Sequence, residues 1–182
     1  MKPIISKHCR IRNPGHFSAG PYSIVDDFSY FSTKVRIGSC SHIASGCSVA
    51  GGKAMTFRLG SYSSVSSGVR IWCASDDFTN DIVTIIPEHA GKIKDHFIAG
   101  DVSIGDMCAV GANSVIMPGN SIPDGTVIGA LSYVPPYFKF KGWSVYAGVP
   151  IQFIKKRNKA NVMRQYHTLE KILKRRPAKG RR

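Results

Sequence analysis

The 182-residue sequence lacks the features of membrane-spanning, secreted and disulfide-bonded proteins. No apolar run approaches the roughly 18–20 residues of a membrane helix. The start, MKPIISKHCR, has no apolar stretch after its positive charge, as a secretory signal would. The five cysteines are odd in number, scattered, and include no CxxC pair. This pattern favours a reduced, cytoplasmic setting and argues against a disulfide framework or a zinc ribbon.

Acidic residues are also scarce. Eleven Asp and Glu stand against 25 Lys and Arg, which gives a net charge of +14. Fourteen of the basic residues and a single acid, Glu170, lie between Lys139 and Arg182, so the first 138 residues are nearly neutral. The basic charge therefore belongs to the C-terminal quarter, where it indicates a patch for anionic ligands or an anionic membrane surface.

Aliphatic residues recur at every sixth position over most of the chain. One uninterrupted run comprises Ile98, Ile104, Val110, Ile116, Ile122, Ile128 and Val134. Earlier runs comprise Val25, Phe31, Ile37, Ile43 and Val49, and then Leu59, Val65 and Ile71. A slim residue usually follows four positions later, and residues that tolerate positive φ often lie between them, namely Gly46, Gly68, Asp101, Asn113, Gly119 and Gly125. A helix or a flat period-two sheet does not repeat in this way, so the pattern predicts an all-β solenoid of short parallel strands; a β-sandwich with coincidental spacing is the alternative.

The repeat divides the chain into three parts. Residues 1–24 are predicted to form an N-terminal cap segment, residues 25–139 the solenoid, and residues 140–182 a connector, a basic amphipathic helix and a tail. Asn158 or Asn161 is expected to cap this helix. Residues 77–97 have no hexad phase and are predicted to leave the coil as a loop, and loops of this length are commonly functional or disordered.

Several motifs accompany the repeat. They are SHIA at 41–44, GG at 51–52, SDDF at 75–78, IGALS at 128–132 and WSVYAGVP at 143–150. With the hexads, they make residues 25–157 resemble the hexapeptide-repeat acyltransferases, in the branch that acetylates sugars for bacterial surface polysaccharides and nucleotide sugars. The resemblance implies a left-handed parallel β-helix and a cyclic homotrimer whose active sites lie between subunits. It also implies acetyl-CoA as the acyl donor, no metal, and a sugar hydroxyl or amine as acceptor, in lipopolysaccharide O-antigen or capsule synthesis.

Direct transfer from a thioester needs a base for the attacking hydroxyl or amine, and histidine is the usual choice near neutral pH. The resemblance favours His42, which matches a histidine of the sugar branch, assisted or oriented by Asp76 or Asp77. His89, in the predicted loop, is the second candidate. Alternatively, His42 and His89 are surface residues, and the two aspartates only cap the loop through side-chain-to-backbone hydrogen bonds.

The coenzyme positions follow from the resemblance alone. Ala112 and Ala130 match small residues that let the pantetheine arm approach the backbone. Lys155 and Lys156 follow the AG-x-P turn, where a basic residue commonly meets the phosphates of the coenzyme. A solvated surface is the alternative for either lysine.

The sequence also leaves two other functions open. The basic C-terminal region could make the protein a binding or scaffold protein for nucleic acid or an anionic membrane, although it contains no nucleic-acid module. A zinc β-helix carbonic anhydrase would need three histidines to meet a metal, and His42, His89 and His96 lack convincing ligand spacing.

Overall fold

The chain winds into a solenoid with three sides, each of which is a sheet of short strands. The computed structural model describes residues 1–77, 79 and 97–175. Face 1 comprises β1 (Ile4–Ile5), β4 (Ile24–Val25), β7 (His42–Ile43), β10 (Ser64–Val65), β15 (Ala109–Val110), β18 (Val127–Ile128), β20 (Ser144–Ala147) and β21 (Gln152–Lys156). Face 2 comprises β2 (Arg10–Ile11), β5 (Tyr30–Phe31), β8 (Ser48–Ala50), β11 (Arg70–Trp72), β16 (Val115–Ile116) and β19 (Tyr133–Val134). Face 3 comprises β3 (Phe17–Ala19), β6 (Lys34–Ile37), β9 (Thr56–Leu59), β14 (Val102–Ile104) and β17 (Ser121–Ile122).

Successive coils pair in parallel on all three faces, and only β21 returns antiparallel along β20 within them. The six strands of face 2 correspond to about six turns. The predicted β-solenoid is therefore confirmed. The chain passes between faces at three edges, which we name by the faces that they join: edge 1–2, edge 2–3 and edge 3–1.

The interior of the solenoid is filled by the hexad aliphatics. All of those predicted to point inward are at most 5% exposed, with Ile98 as the exception. Ile98 lies half-buried in β13 (Phe97–Ala99), which pairs antiparallel with β12 (Ala74–Asp76) outside the coil. The coil resumes only at β14, where Val102 and Ile104 are both buried because β14 has three residues and its side chains alternate.

Most of the slim residues predicted near the edges are buried, and the buried serines among them hydrogen-bond to neighbouring coils. The Ser63 hydroxyl donates to the Gly105 carbonyl oxygen at 2.8 Å and accepts from the Cys108 amide at 3.0 Å. Ser41 makes the equivalent contacts one coil earlier, with Gly60 and Ser63. These contacts join coils at positions where a larger side chain would not fit.

A left-handed residue occurs at nearly every edge. Five of the six predicted positions have positive φ, namely Gly46, Gly68, Asn113, Gly119 and Gly125. The prediction for Asp101 is wrong, because this residue follows β13 and its carboxylate instead accepts a hydrogen bond from the Thr56 amide at 2.8 Å. Bulky residues adopt the same conformation at other edges, namely Tyr22, Phe28, Cys40, Tyr62, Met107, Leu131, Tyr137 and Trp143.

The two ends of the solenoid differ. Residues 4–19, in the segment predicted as a cap, form a first coil that pairs with the second on all three faces. At the other end, helix α1 (Lys159–Arg175) follows β21, and the Asn158 side chain caps it by accepting from the Asn161 amide at 3.0 Å. No helix in the described part of the chain combines the length and hydrophobicity that a membrane crossing requires. Residues 176–182 of the predicted tail lie outside the described residues.

Candidate functional site

His42 lies on the outer side of face 1 and contacts a carboxylate of the preceding coil. Its Nε2 is 2.7 Å from Oδ2 of Asp26, and each side chain is 44% exposed. Strand pairing sets this contact, since His42 lies beside Ile24, and Asp26 begins edge 1–2 just beyond β4. A carboxylate at Nε2 favours the proton on that nitrogen and leaves Nδ1 of the neutral ring as the acceptor. The pair can therefore orient an imidazole and take up a proton.

Asp26 was not among the candidate residues. The sequence could have predicted the contact of Asp26 with His42, because three hexads per coil place residues that are 18 apart beside each other. This spacing brings residue 24 against His42 and puts Asp26 within reach of the ring.

Asp76 and Asp77 lie at the end of β12 in the β12–β13 hairpin, next to the predicted loop, of which residues 78 and 80–96 lie outside the described residues. Asp76 ends β12 and is paired with Phe97. Oδ1 of Asp77 accepts from the Thr79 amide at 3.1 Å and from its hydroxyl at 2.5 Å, as expected for a residue that caps the start of a loop. Within the single chain, the carboxylate that contacts His42 is Asp26 rather than either of these. His89 and His96 lie outside the described residues.

Ala112 and Ala130 lie in adjacent coils at edge 1–2. The Leu131 amide donates to the Ala112 carbonyl oxygen at 2.9 Å, and a Cβ at Gly111 would be 2.2 Å from the Ala130 nitrogen. The coils therefore approach closely here, and the small side chains leave the backbone of the edge accessible. This geometry suits an extended amide-containing ligand such as a pantetheine arm.

Lys155 and Lys156 are exposed on β21, opposite Val145 and Ser144 of β20. Successive residues of a strand point to opposite sides, so the two lysines do not face the same ligand in an extended strand. Arg157 fixes the end of β21, since its amide donates to the Trp143 carbonyl oxygen at 2.8 Å and its guanidinium donates to the carbonyl oxygens of Met107 and Gly125 at 2.5 and 3.1 Å.

A basic cavity of about 210 Å³ lies on face 3 near edge 2–3. It is lined by Gly15, His16, Phe17, Ser18, Lys34, Arg36 and Thr56. It adjoins a shallower depression of about 520 Å³ that continues along face 3 and shares Arg36. The six-residue period does not predict this cavity, because its residues come from three coils and an insertion of four residues between Val49 and Leu59 shifts the third coil out of the 18-residue spacing.

The buried cysteines show no sign of reactivity. Burial raises the pKa of Cys73 to about 12 and that of Cys108 to about 11, and it also raises the pKa of Cys47. A thiol must ionise to act as a nucleophile or a ligand, so these positions are structural.

No group of three His, Cys, Asp or Glu that could hold a metal ion occurs within the described residues. Two of the histidines considered for a zinc site, His89 and His96, lie outside them. The zinc alternative therefore gains no support from the described part of the chain.

No family model matches the chain. AntD, an N-acyltransferase from Bacillus cereus solved with dTDP-4-amino-4,6-dideoxyglucose and coenzyme A, is 31% identical, with a TM-score of 0.81 over 93% of this chain and 91% of AntD. A dTDP-4-amino-4,6-dideoxy-D-glucose acyltransferase from Escherichia coli is 28% identical over 149 residues, which cover 79% of this chain and 73% of that protein. A chloramphenicol acetyltransferase from Agrobacterium fabrum (strain C58 / ATCC 33970) is 28% identical over 108 residues, which cover 54% of this chain and 51% of that protein.

A maltose O-acetyltransferase from Clostridium difficile 630 shares the fold, with a TM-score of 0.62 at 22% identity over 80% of this chain and 73% of that chain. The similarity to AntD extends over nearly the whole of both chains. The chain belongs to the hexapeptide-repeat β-helix acyltransferases.

Proposed function

We propose that the protein transfers an acyl group from acyl-CoA to the amine of a dTDP-linked amino sugar of the 4-amino-4,6-dideoxyglucose type. The similarity to AntD carries this proposal, because AntD was solved with that nucleotide sugar and coenzyme A and is similar over 93% of this chain. AntD was also solved with dTDP and 3-hydroxybutyryl-CoA, so the donor is acetyl-CoA or another short acyl-CoA. The acylated sugar would serve bacterial surface-polysaccharide synthesis in the cytoplasm.

The reaction needs no covalent enzyme intermediate. The neutral amine attacks the thioester carbonyl carbon, the C–N bond forms, and the C–S bond of the tetrahedral intermediate then breaks. The nitrogen loses one proton, and the departing thiolate of coenzyme A gains one. Backbone amides of the coil would stabilise the oxyanion, and Ala112 and Ala130 would border the pantetheine arm.

We assign proton acceptance first to His42. Asp26 contacts Nε2 at 2.7 Å, so Nδ1 remains as the acceptor. In this scheme Asp26 is a positioning residue, because it acts through the imidazole.

Asp76 and Asp77 are the alternative acceptors. AntD has been crystallised with a serine replaced and also with an aspartate replaced, ten residues further along its chain. Two pairs here have the same separation, Ser66 with Asp76 and Ser67 with Asp77. This spacing supports a role for one of the hairpin carboxylates at the acceptor amine.

A homotrimer would bring these elements together. His42 and the small residues Ala112 and Ala130 lie at or beside edge 1–2, whereas the hairpin with Asp76 leaves the coil on the far side of face 2. A site between neighbouring subunits would combine edge 1–2 of one copy with the hairpin of the next. The exposed lysines of β21 and the basic tail would attract the anionic substrates or an anionic membrane surface.

The test is release of coenzyme A with acetyl-CoA or 3-hydroxybutyryl-CoA and a panel of acceptors. The panel contains dTDP-4-amino-4,6-dideoxyglucose, its 4-hydroxy analogue and free amino sugars. We expect turnover with the amino nucleotide sugar and little with the others. Equal turnover of free and dTDP-linked amino sugars would contradict the proposal, and so would faster turnover of the 4-hydroxy analogue than of the amino nucleotide sugar.

The base is tested by His42→Gln, Asp26→Asn and Asp76→Asn, with His167→Gln on helix α1 as the matched control. Loss of a general base costs about 100-fold or more in kcat. We expect that loss in His42→Gln, a smaller loss with a shifted pH profile in Asp26→Asn, and none in the control. Wild-type turnover by His42→Gln would move the assignment to the hairpin carboxylates.

A further inference from the structure

We propose that the basic cavity on face 3 binds the diphosphate of the acceptor nucleotide. This inference rests on the proposed function, since it identifies where that acceptor is held. Three observations support this inference. The ionisable side chains that line the cavity are all basic, its volume is about 210 Å³, and it lies far along the solenoid from the residues predicted to bind coenzyme A.

Two rows of side chains project outward from consecutive strands of face 3. Ser18, Arg36 and Arg58 are aligned across β3, β6 and β9, and Lys34 is aligned with Thr56 one step nearer edge 2–3. Lys34 and Arg36 are two residues apart on β6, so their Cα atoms are about 6.6 Å apart and their side chains lie on the same side of the strand, where both cationic groups can reach one ligand. His16, from the first coil, closes the same cavity.

The charges in this cavity are not neutralised. Lys34 and Arg36 form no ion pair within residues 1–77, 79 and 97–175. Arg58 has a partner, Oδ2 of Asp101 at 3.6 Å, and that carboxylate is already held by the Thr56 amide. An arginine with free donors beside a lysine suits a diphosphate, because a guanidinium can donate two parallel hydrogen bonds to one phosphate.

The adjoining depression offers room for the rest of the nucleotide. It extends from Arg36 and Arg58 past Ser103 and Ser121, and its volume of about 520 Å³ exceeds that of the basic cavity. Beyond the two arginines it presents glycine backbone, serine hydroxyls, aliphatic side chains and one carboxylate, that of Asp124. A ligand with an anionic centre near the arginines and a neutral extension fits this combination.

Coenzyme A also contains a diphosphate, and position along the solenoid distinguishes the two sources. The cavity belongs to the first three coils, whereas Lys155 lies on β21, which is six strand spacings beyond β4 of the second coil, or about 29 Å along the axis at 4.8 Å per spacing. The cavity also contacts the segment that follows the β12–β13 hairpin, because the Thr56 amide donates to Asp101, two residues after the end of β13. The acceptor nucleotide is therefore the better occupant.

The experiment compares Arg36→Gln and Lys34→Gln with Arg10→Gln, a matched loss of charge at an exposed arginine on face 2. Calorimetry measures the Kd of dTDP, of deoxythymidine and of coenzyme A for the full-length protein, and steady-state kinetics gives KM for each substrate.

Loss of one charge-assisted contact should raise the Kd of dTDP and the KM of the dTDP-sugar by about tenfold to a hundredfold. Deoxythymidine and coenzyme A should bind as in the wild type, and Arg10→Gln should change nothing by more than about twofold. Arg36→Lys should recover part of the loss.

Unchanged dTDP affinity in both Arg36→Gln and Lys34→Gln would overturn the inference, and so would a loss confined to coenzyme A. Failure of the proposed function would give a different result, because the wild-type enzyme would then turn over dTDP-linked and free amino sugars equally well. A wild type that requires the nucleotide, together with an Arg36→Gln variant of unchanged KM, rejects the diphosphate site alone.

Discussion

Two edge glycines with the same backbone conformation should respond very differently to alanine. Gly46 and Gly125 have φ values of +69° and +68°. A Cβ added at Gly46 would meet nothing within 4 Å, whereas one at Gly125 would lie 2.4 Å from the Trp143 ring of the next coil. We predict that Gly125→Ala is clearly more destabilising than Gly46→Ala.

The magnitude follows from two separate costs. Left-handed backbone costs a residue with a Cβ about 1–2 kcal/mol, and both variants incur this cost. Only Gly125→Ala also forces a collision, and overpacking costs typically about 1–3 kcal/mol. The Trp143 ring cannot move aside freely, because Lys159 lies 5.1 Å from its centroid and its backbone is hydrogen-bonded to Asp124 and Arg157. The expected losses are therefore about 1–2 kcal/mol at Gly46 and about 2–5 kcal/mol at Gly125.

Urea unfolding followed by circular dichroism measures both losses, at one protein concentration so that any assembly contributes equally. In a Trp143→Ala background, Gly125→Ala should cost no more than Gly46→Ala does in the wild type, because only the strain remains. Equal losses for the two single variants, or an undiminished loss in the Trp143→Ala background, would refute the stacking of Trp143 over Gly125.

Three further predictions concern the core, the cysteines and the helix. Ile116→Ala should cost about 2–5 kcal/mol in free energy of unfolding, as is usual for a large side chain removed from a core, whereas Ile98→Ala, outside the coil, should cost clearly less in the same urea titration. The pKa of Cys108 is raised to about 11 from a usual 9.0, so the folded state holds the thiol proton more tightly than the unfolded state does. The resulting stabilisation is complete below pH 9 and is lost as the pH rises towards 11. Cys108→Ser should therefore lose less free energy of unfolding over this pH range than the wild type, and an equal pH dependence in the two proteins would disprove the assignment. The hydroxyl of Tyr62 donates to the Glu170 carboxylate, which raises the pKa of Tyr62, so Tyr62→Phe should increase amide hydrogen exchange in helix α1 while leaving the coil strands protected.

The hexads predicted the fold because a solenoid core takes one inward residue per strand, and every coil repeats the requirement. They did not predict Phe28 and Leu131 in left-handed conformation, since neither residue type favours positive φ and their position in the coil imposes it. The His42–Asp26 contact required the 18-residue coil rather than the 6-residue hexad as the unit. The pairing of Arg36 with Arg58 spans 22 residues instead of 18, so even the coil period misses it without knowledge of the insertion between them.

The same period that builds the core also arranges the outer surface into columns, and this determines where chemistry can occur. The outward column of face 1 places Ile24, His42, Ser64 and Ala109 side by side on consecutive coils, so the imidazole has only small or apolar neighbours in its column. Among the residues that the structure describes, its ion-pair partner is Asp26, which comes from the adjacent edge. Covering this column with another subunit would exclude water from the pair and strengthen the hydrogen bond between His42 and Asp26, because electrostatic interactions increase as the local dielectric constant falls. If His42 accepts the proton as proposed, a subunit over face 1 would hold the imidazole and the Asp26 carboxylate in one orientation, so assembly would contribute to catalysis by His42 as well as to the shape of the site.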